Sequence, residues 1–315
     1  MLENFNFYVT NLELFNDFNL NINGYDFEIT KLPDYDSVIL RLRDSRDSLN
    51  RGFTAKINVK NVSDFDIVKK IVRNICEMLS YAGGNSVVAT RWESEDNYKG
   101  GGCASPESKF ICGNFVIHKQ NIEYFLNSTY ENYEKYRDVF GLNVIIDGLF
   151  TSDSLKHIEP KLLMNYGILE FLGDKSKKYF ESIGNPLESS IKRSNEQKMR
   201  RILNGVEISE EKIEKLINNF IYPHPSLQDC IIAVKKEFDL EYNIDESKNY
   251  LTGKNIYSIR NDIIHRLTLN SEIDFSEIYD DLNHLIDIIF LNIIGYSGEF
   301  SSSDTELRYR GLRGY

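Results

Sequence analysis

The chain has 315 residues, 41% hydrophobic and 27% charged, which is globular composition in a length that exceeds the usual single domain. Its formal net charge of −11 is shared by both halves: residues 1–150 carry 16 Lys and Arg against 21 Asp and Glu, and residues 151–315 carry 21 against 27. That balance excludes a module that coats long duplexes by neutralising many phosphates, but not a local patch that handles one or two.

Four cysteines (Cys76, Cys103, Cys112 and Cys230) do not make a disulfide framework in a chain this long. The opening Met1-Leu-Glu-Asn-Phe-Asn-Phe lacks a basic stretch followed by an apolar run, so no signal peptide is expected. The longest apolar stretch, Leu285 to Ile294, contains Asp287 and Asn292 and is too short to span a bilayer. A reducing cytoplasm and no membrane partner are the expectations.

The first sixty residues or so read as strands. Phe53, Ala55, Ile57 and Val59 alternate with Thr54, Lys56, Asn58 and Lys60, the period of a half-buried strand. Ser37 to Arg43, with Val38-Ile39-Leu40, reads as a neighbouring strand, and polar turn material from Asp44 to Gly52 separates the two. Ser63-x-x-Asp66 has capping-box spacing and opens a helix with Val68, Ile71, Val72, Ile75 and Leu79 on one face, ended by Ala82-Gly83-Gly84-Asn85.

Strands are expected at Ser86–Trp92 and Lys109–His118. The long connection 93–107 includes Gly100-Gly101-Gly102, which suits either a mobile linker or a ligand loop but lacks the Lys-Ser/Thr ending of a P-loop. Cys103, Cys112 and His118 do not have zinc-knuckle spacing, and strand interior explains them better, so neither metal nor cofactor is expected. Residues 122–140 read as a helix carrying Tyr124, Tyr130, Tyr133 and Tyr136, whose rings suit packing at a seam better than base stacking, since only Lys135 and Arg137 flank them. Turn residues and short apolar pieces from Gly141 to Ser154 mark the expected boundary between a β-rich domain, 1–150, and an α-helical one, 151–315.

Strand signals then nearly vanish. Helices are expected at about 155–172, 174–183, 186–203, 208–221, 225–240, 246–268 and 274–296, with Ser226 and Asp229 forming a capping box after Pro225. The last of these is apolar nearly all round from Leu285 to Ile294, which places it centrally in the bundle or at a dimer interface. The basic run Lys192-Arg193 and Lys198-Met-Arg200-Arg201 suits a solvated face or a phosphate contact. The tail, 307–315, is cationic and aromatic, and suits either a frayed terminus or contact with RNA or another subunit.

Residues 250–268 hold the sharpest signal. As a helix they put Ile256, Ile259, Ile263 and Leu267 on one stripe, while Asn261 and His265, four apart, share another face. At about 100° per residue His265 points away from the stripe and Arg260 sits at its edge. On spacing alone the set reads either as solvated side chains, with Arg260 paired to a carboxylate, or as a compact group suited to phosphate binding and proton transfer.

An all-α C-terminal half in which Ile-Tyr-Ser-Ile-Arg260-Asn261-Asp-Ile-Ile-His265 precedes one more long helix resembles the HEPN superfamily. The match is Arg260-x4-His265, with Asn261 in the polar slot after the arginine and Tyr257 ahead of it. The resemblance covers about residues 155–298, so with the strand patterns ahead of it the expected chain is α+β: a β-rich N-terminal domain followed by an all-α HEPN-like bundle. It further implies a metal-independent endoribonuclease acting on RNA in toxin or antiviral defence, with Arg260, Asn261 and His265 catalytic and no cofactor. Members of the family dimerise to build one composite cleft, so a homodimer through the helical domain is implied. By analogy the N-terminal domain takes a regulatory ligand or protein. Leu267 stands where members silenced by nucleotidyl transfer carry a tyrosine, so that control is not expected. The alternative is a non-catalytic HEPN-type dimerisation or nucleotide-binding module.

Overall fold

Period-two alternation builds the N-terminal half. The structure, a computed structural model, describes residues 3–44, 52–94, 99–101, 115–187, 196–198, 200–202, 209, 211–215, 225–238, 275–301 and 309–311. Six strands form one antiparallel sheet: β1 Glu3–Thr10, β2 Phe18–Ile22, β3 Tyr25–Lys31, β4 Phe53–Val62, β5 Val88–Ser94 and β6 Lys99–Gly101. Their spatial order is β2-β3-β4-β1-β5-β6, so the first strand lies inside the sheet, between β4 and β5. Phe7, Val9, Leu20, Phe27, Ile29, Ala55, Ile57 and Val59 supply the buried face. The other face is polar and partly tied by its own amides, with Asn58 Nδ2 donating to Asn6 Oδ1 at 2.8 Å. The β2–β3 hairpin turns on Asn23 and Gly24, with φ of 53° and 80°, the left-handed pair that a two-residue turn between twisted strands requires.

Ser37 to Arg43 is helix rather than strand, within α1 Tyr35–Asp44. The buried residues are Tyr35, Val38, Ile39 and Leu42, a helical spacing, while Leu40 in the middle of the apolar triplet is 59% exposed. α2 spans Phe65–Gly83. Its cap is one residue later than the sequence suggests: the Asp64 carboxylate accepts from the N–H groups of Asp66 and Ile67 at 3.0 and 3.1 Å. It ends as expected, on Gly84 in the left-handed conformation at φ 64°.

The remainder is mostly helical, giving an α+β layout. α3 Ile122–Phe140 matches its expected range, and Tyr130 and Tyr133 are buried in it. The stretch expected to be turns, 141–154, is instead helix α4, Leu142–Ser154. Gly148 in its middle is a packing device, since a Cβ there would meet Ile168 at 2.9 Å. The two helices expected at 155–172 and 174–183 are one, α5 Ile158–Ser182. Gly173 does not break it; a Cβ at that position would approach Leu227 of the next helix at 3.0 Å. α6 Leu227–Glu237 starts on the expected Ser226–Asp229 capping box. Of the helices expected at 186–203 and 208–221, the described residues 196–198, 200–202 and 211–215 are helical, while 186, 187 and 209 are not.

α7, Phe275–Ile293, is central to the bundle. Every residue from Leu285 to Leu291 is buried, Asp287 included. It packs on α5 and α3, and the buried residues of sheet and helices form one continuous cluster. β7 Glu299–Ser301 pairs with β8 Tyr309–Gly311. Among the described residues no helix is long and apolar enough to cross a membrane.

Two ionic ties hold the layers in register. Glu77 of α2 receives a fork from Arg137 of α3, Nε at 2.7 Å and Nη2 at 2.6 Å, together with the Tyr133 hydroxyl at 2.7 Å. Glu13, side chain 5% exposed, is met by Arg43 of α1 and by Lys119 ahead of α3. Leu285→Ala is expected to destabilise the protein by about 2–5 kcal/mol through the cavity it leaves, whereas Leu40→Ala should stay within about 0.5 kcal/mol. Denaturant midpoints read at unchanged slope check both.

Candidate functional site

Arg260, Asn261 and His265 lie outside the described residues, as does the whole of 246–268. So do Cys103, Cys112, Lys192, Arg193 and most of the cationic tail. Of the rest of the basic run, Arg200 is engaged by two carboxylates, Glu196 at 3.0 Å and Glu214 at 2.5 Å. His118 is exposed at the N-terminal edge of a short 3₁₀ turn, and among the described residues no group of three His, Cys, Asp or Glu is placed to hold a metal ion. Within the 93–107 connection, Gly100 sits in β6 beneath the Trp92 indole, where a Cβ would fall 2.3 Å from the ring. Close approach of a side chain, rather than of a phosphate, explains that glycine.

The described residues do bring together a polar cleft. It lies where the C-terminal end of α2, the C-terminal part of α4 and the first half of α7 converge, with about 660 Å³ of empty space, part of it open to solvent. Residues 115–117 close one side. The Val116 and Ile117 N–H groups both donate to the Ala82 carbonyl, and the Val116 carbonyl accepts from Ser301 at 2.7 Å. Gly84, the left-handed end of α2, lets the chain leave the helix beside the opening.

At the deep end, Tyr81 of α2 donates its hydroxyl to Asp287 Oδ1 at 2.9 Å, and the Tyr81 ring stacks on Phe290 at 4.0 Å between centroids. Asp287 is only 6% exposed. Burial pushes its carboxyl up to about 7, with the nearby Asp153 charge adding to the rise and the Tyr81 hydrogen bond opposing it. At the shallow end, Tyr279 donates to Asp153 Oδ1 at 2.7 Å. Burial, then Asp153, raises the Tyr279 phenol to about 12. Asn283, between the two ends, accepts from Asn165 Nδ2 of α5 at 2.7 Å. Ile146, Leu149 and Phe150 of α4 supply an apolar wall.

The chemistry follows from these groups. A carboxyl that changes charge near neutral pH sits beside an exposed carboxylate, against apolar surface. The arrangement offers acceptor oxygen and negative charge, and burial makes Asp287 hold its proton to higher pH than an exposed carboxyl. None of these residues stood out in the sequence as a site. The one available signal was Asp287 itself, a lone acid inside a stretch otherwise apolar from Leu285 to Phe290, which has to find a partner once buried. Compared with protein-family models, with curated proteins and with solved structures, the chain matches none.

The raised Asp287 carboxyl links stability to pH. Its folded-state value of about 7 lies above the ordinary 3.8, so the folded state holds the extra proton between them. The associated stabilisation is complete below about pH 4 and lost as pH rises through about 7. Asp287→Asn, which keeps an acceptor for Tyr81, is expected to flatten the fall in Tm between pH 5 and pH 8. Melting curves across that range provide the check, and an unchanged slope would remove Asp287 as its source.

Proposed function

We propose that this chain is a metal-independent endoribonuclease of the HEPN kind, acting on RNA as a homodimer in the cytoplasm, in a toxin or antiviral role. The observation that carries the reading is the motif and its place. Arg260-Asn261-x3-His265 ends ten residues before Phe275, the first residue of the helix on which the bundle is centred, within a region that is mostly helical.

The chemistry suits those residue types. A base takes the proton from a ribose 2′-hydroxyl, the oxygen attacks the adjacent phosphorus, and the bond to the 5′-oxygen breaks as an acid returns a proton to it. His265 serves one proton transfer, and His265 of a second copy serves the other, which is why two chains are needed for one cleft. Arg260 offers its guanidinium fork to the phosphate oxygens as negative charge builds on them. Asn261, next to Arg260, orients His265 or the phosphate. The sheet domain is the regulatory part in this reading and meets a ligand or protein that restrains or triggers cleavage.

His265→Ala is expected to lower the RNA-cleavage rate by about 10²–10⁴-fold, and Arg260→Ala by about 10²–10³-fold, each without loss of folding. Wild-type cleavage should persist in chelator and follow a bell-shaped pH profile. A gel assay on labelled RNA with purified protein measures all of these. Equal cleavage by wild type and His265→Ala would sink the proposal. A His265→Ala variant that loses dimer stability from a protein with no cleavage to lose would favour the non-catalytic module.

A further inference from the structure

We propose that the cleft between α2, α4 and α7 binds an organic cation, a primary amine carried on an aromatic or branched apolar body, with the ammonium group paired to Asp287 in the negative field of Asp153. The proposal does not rest on the nuclease motif.

A count of donors and acceptors makes the case. The Tyr81 hydroxyl proton is already given to Asp287, and that of Tyr279 to Asp153. The Asn283 carbonyl oxygen is taken by Asn165. Tyr81 is the one hydrogen-bond partner of Asp287 among the described residues, and it binds Oδ1, so Oδ2 of a side chain only 6% exposed is left to the cleft it lines. Besides the Asn283 amide N–H groups and the Ser301 hydroxyl, what the cleft offers is acceptor oxygen and negative charge, and the complement of these is a donor with positive charge. Asp280 of α7 also lines it, and no Lys, Arg or His is among the described lining residues. Lys161 of α5 lies over the Tyr279 ring at 5.2 Å from its centroid, outside the lining.

Size and surface narrow the cation. No trio of ligands is placed for a metal ion among the described residues. The wall of Ile146, Leu149 and Phe150, with Phe115 facing the same space, removes apolar area from water only if the ligand has an apolar body. An ammonium carries three donors, so it can pair with the Asp287 carboxylate and still meet a further acceptor of the lining. On binding, the ion pair forms with the ionised carboxylate of Asp287, whose proton leaves to buffer while the amine keeps its own. Among the described residues the groups acting on Asp287 are Tyr81 from α2 and Asp153 from α4, with Tyr279, Asp280 and Asn283 of its own helix lining the same cleft. Neither phenol ionises below the alkaline range, so the pH response belongs to the carboxyl.

Isothermal titration of the full chain with phenethylamine, and with 2-phenylethanol as its neutral counterpart, tests the site. Saturable binding of the amine at least tenfold tighter than the alcohol at pH 8 is expected. Binding should weaken about tenfold between pH 8 and pH 6, with proton release visible as a buffer-dependent heat. Asp287→Asn should abolish the preference for the amine, whereas Tyr81→Phe, which keeps the carboxylate, should retain it. Equal affinity for amine and alcohol, no saturable binding of the amine at millimolar concentration, or a preference that survives in folded Asp287→Asn would each overturn the proposal. If Asp287→Asn does not fold, the amine-to-alcohol ratio and the proton release of the wild type decide alone. RNA cleavage plays no part in these readouts.

Discussion

Burial of α7 is the constraint on which the rest of the structure depends. A helix that is apolar around most of its circumference cannot sit at a surface, and seven consecutive buried residues, Leu285 to Leu291, have to be enclosed on every side. Each large aliphatic side chain removed from water there contributes about 1.5–3 kcal/mol, so the helix organises its neighbours rather than the reverse. α5 and α3 supply much of the enclosure, and glycines at 148 and 173 let adjacent helices approach closely enough to leave no gap. The acid at position 287 is the one polar demand on this enclosure from Leu285 to Leu291, and Tyr81 from the far side of the chain answers it.

The sheet joins the bundle through α2. Its apolar face carries Val68, Ile71, Val72 and Ile75, while its opposite edge presents Glu77 to the fork of Arg137. Tyr133 and Arg137 on α3 thus share one carboxylate, which fixes both the rotation and the axial position of α3 against α2. The tyrosine-rich helix is explained by this service: two of its rings, Tyr130 and Tyr133, lie buried with their hydroxyls bonded to α2.

Much of this was legible in the residues, and the failures have physical causes. The alternation in β4 and the faces of α2, α3 and α7 were plain, because each element buries one regular set of positions. Val38-Ile39-Leu40 misled because three branched or apolar residues in a row suit a strand, whereas the burial that matters joins Tyr35 and Leu42 across two helical turns. Gly141–Ser154 and Gly173 misled because glycine reads as a breaker, and only the neighbouring Ile168 and Leu227 reveal that it makes room. The cleft was illegible for a different reason. Asp153, Asp287 and Tyr81 belong to three separate elements, and no local pattern joins them. The Arg260–His265 motif is the converse case, clear along the chain and outside the described structure.

The tie between Tyr81 and Asp287 spans 206 positions, and that separation sets an order of events during synthesis. At about 5–20 residues per second, roughly 10–40 s pass between the emergence of one partner and the other. The sheet has all of its strands early, since β1 finds both β4 and β5 within the first hundred residues. α3 and α4 follow soon after and cover α2, but α5, the main partner of α7, lacks that helix until it arrives near the end. A nascent chain therefore carries a finished sheet beside a bundle that still lacks its central helix, and its yield in a cell rests on what shelters the α7-facing side of α5 during the wait.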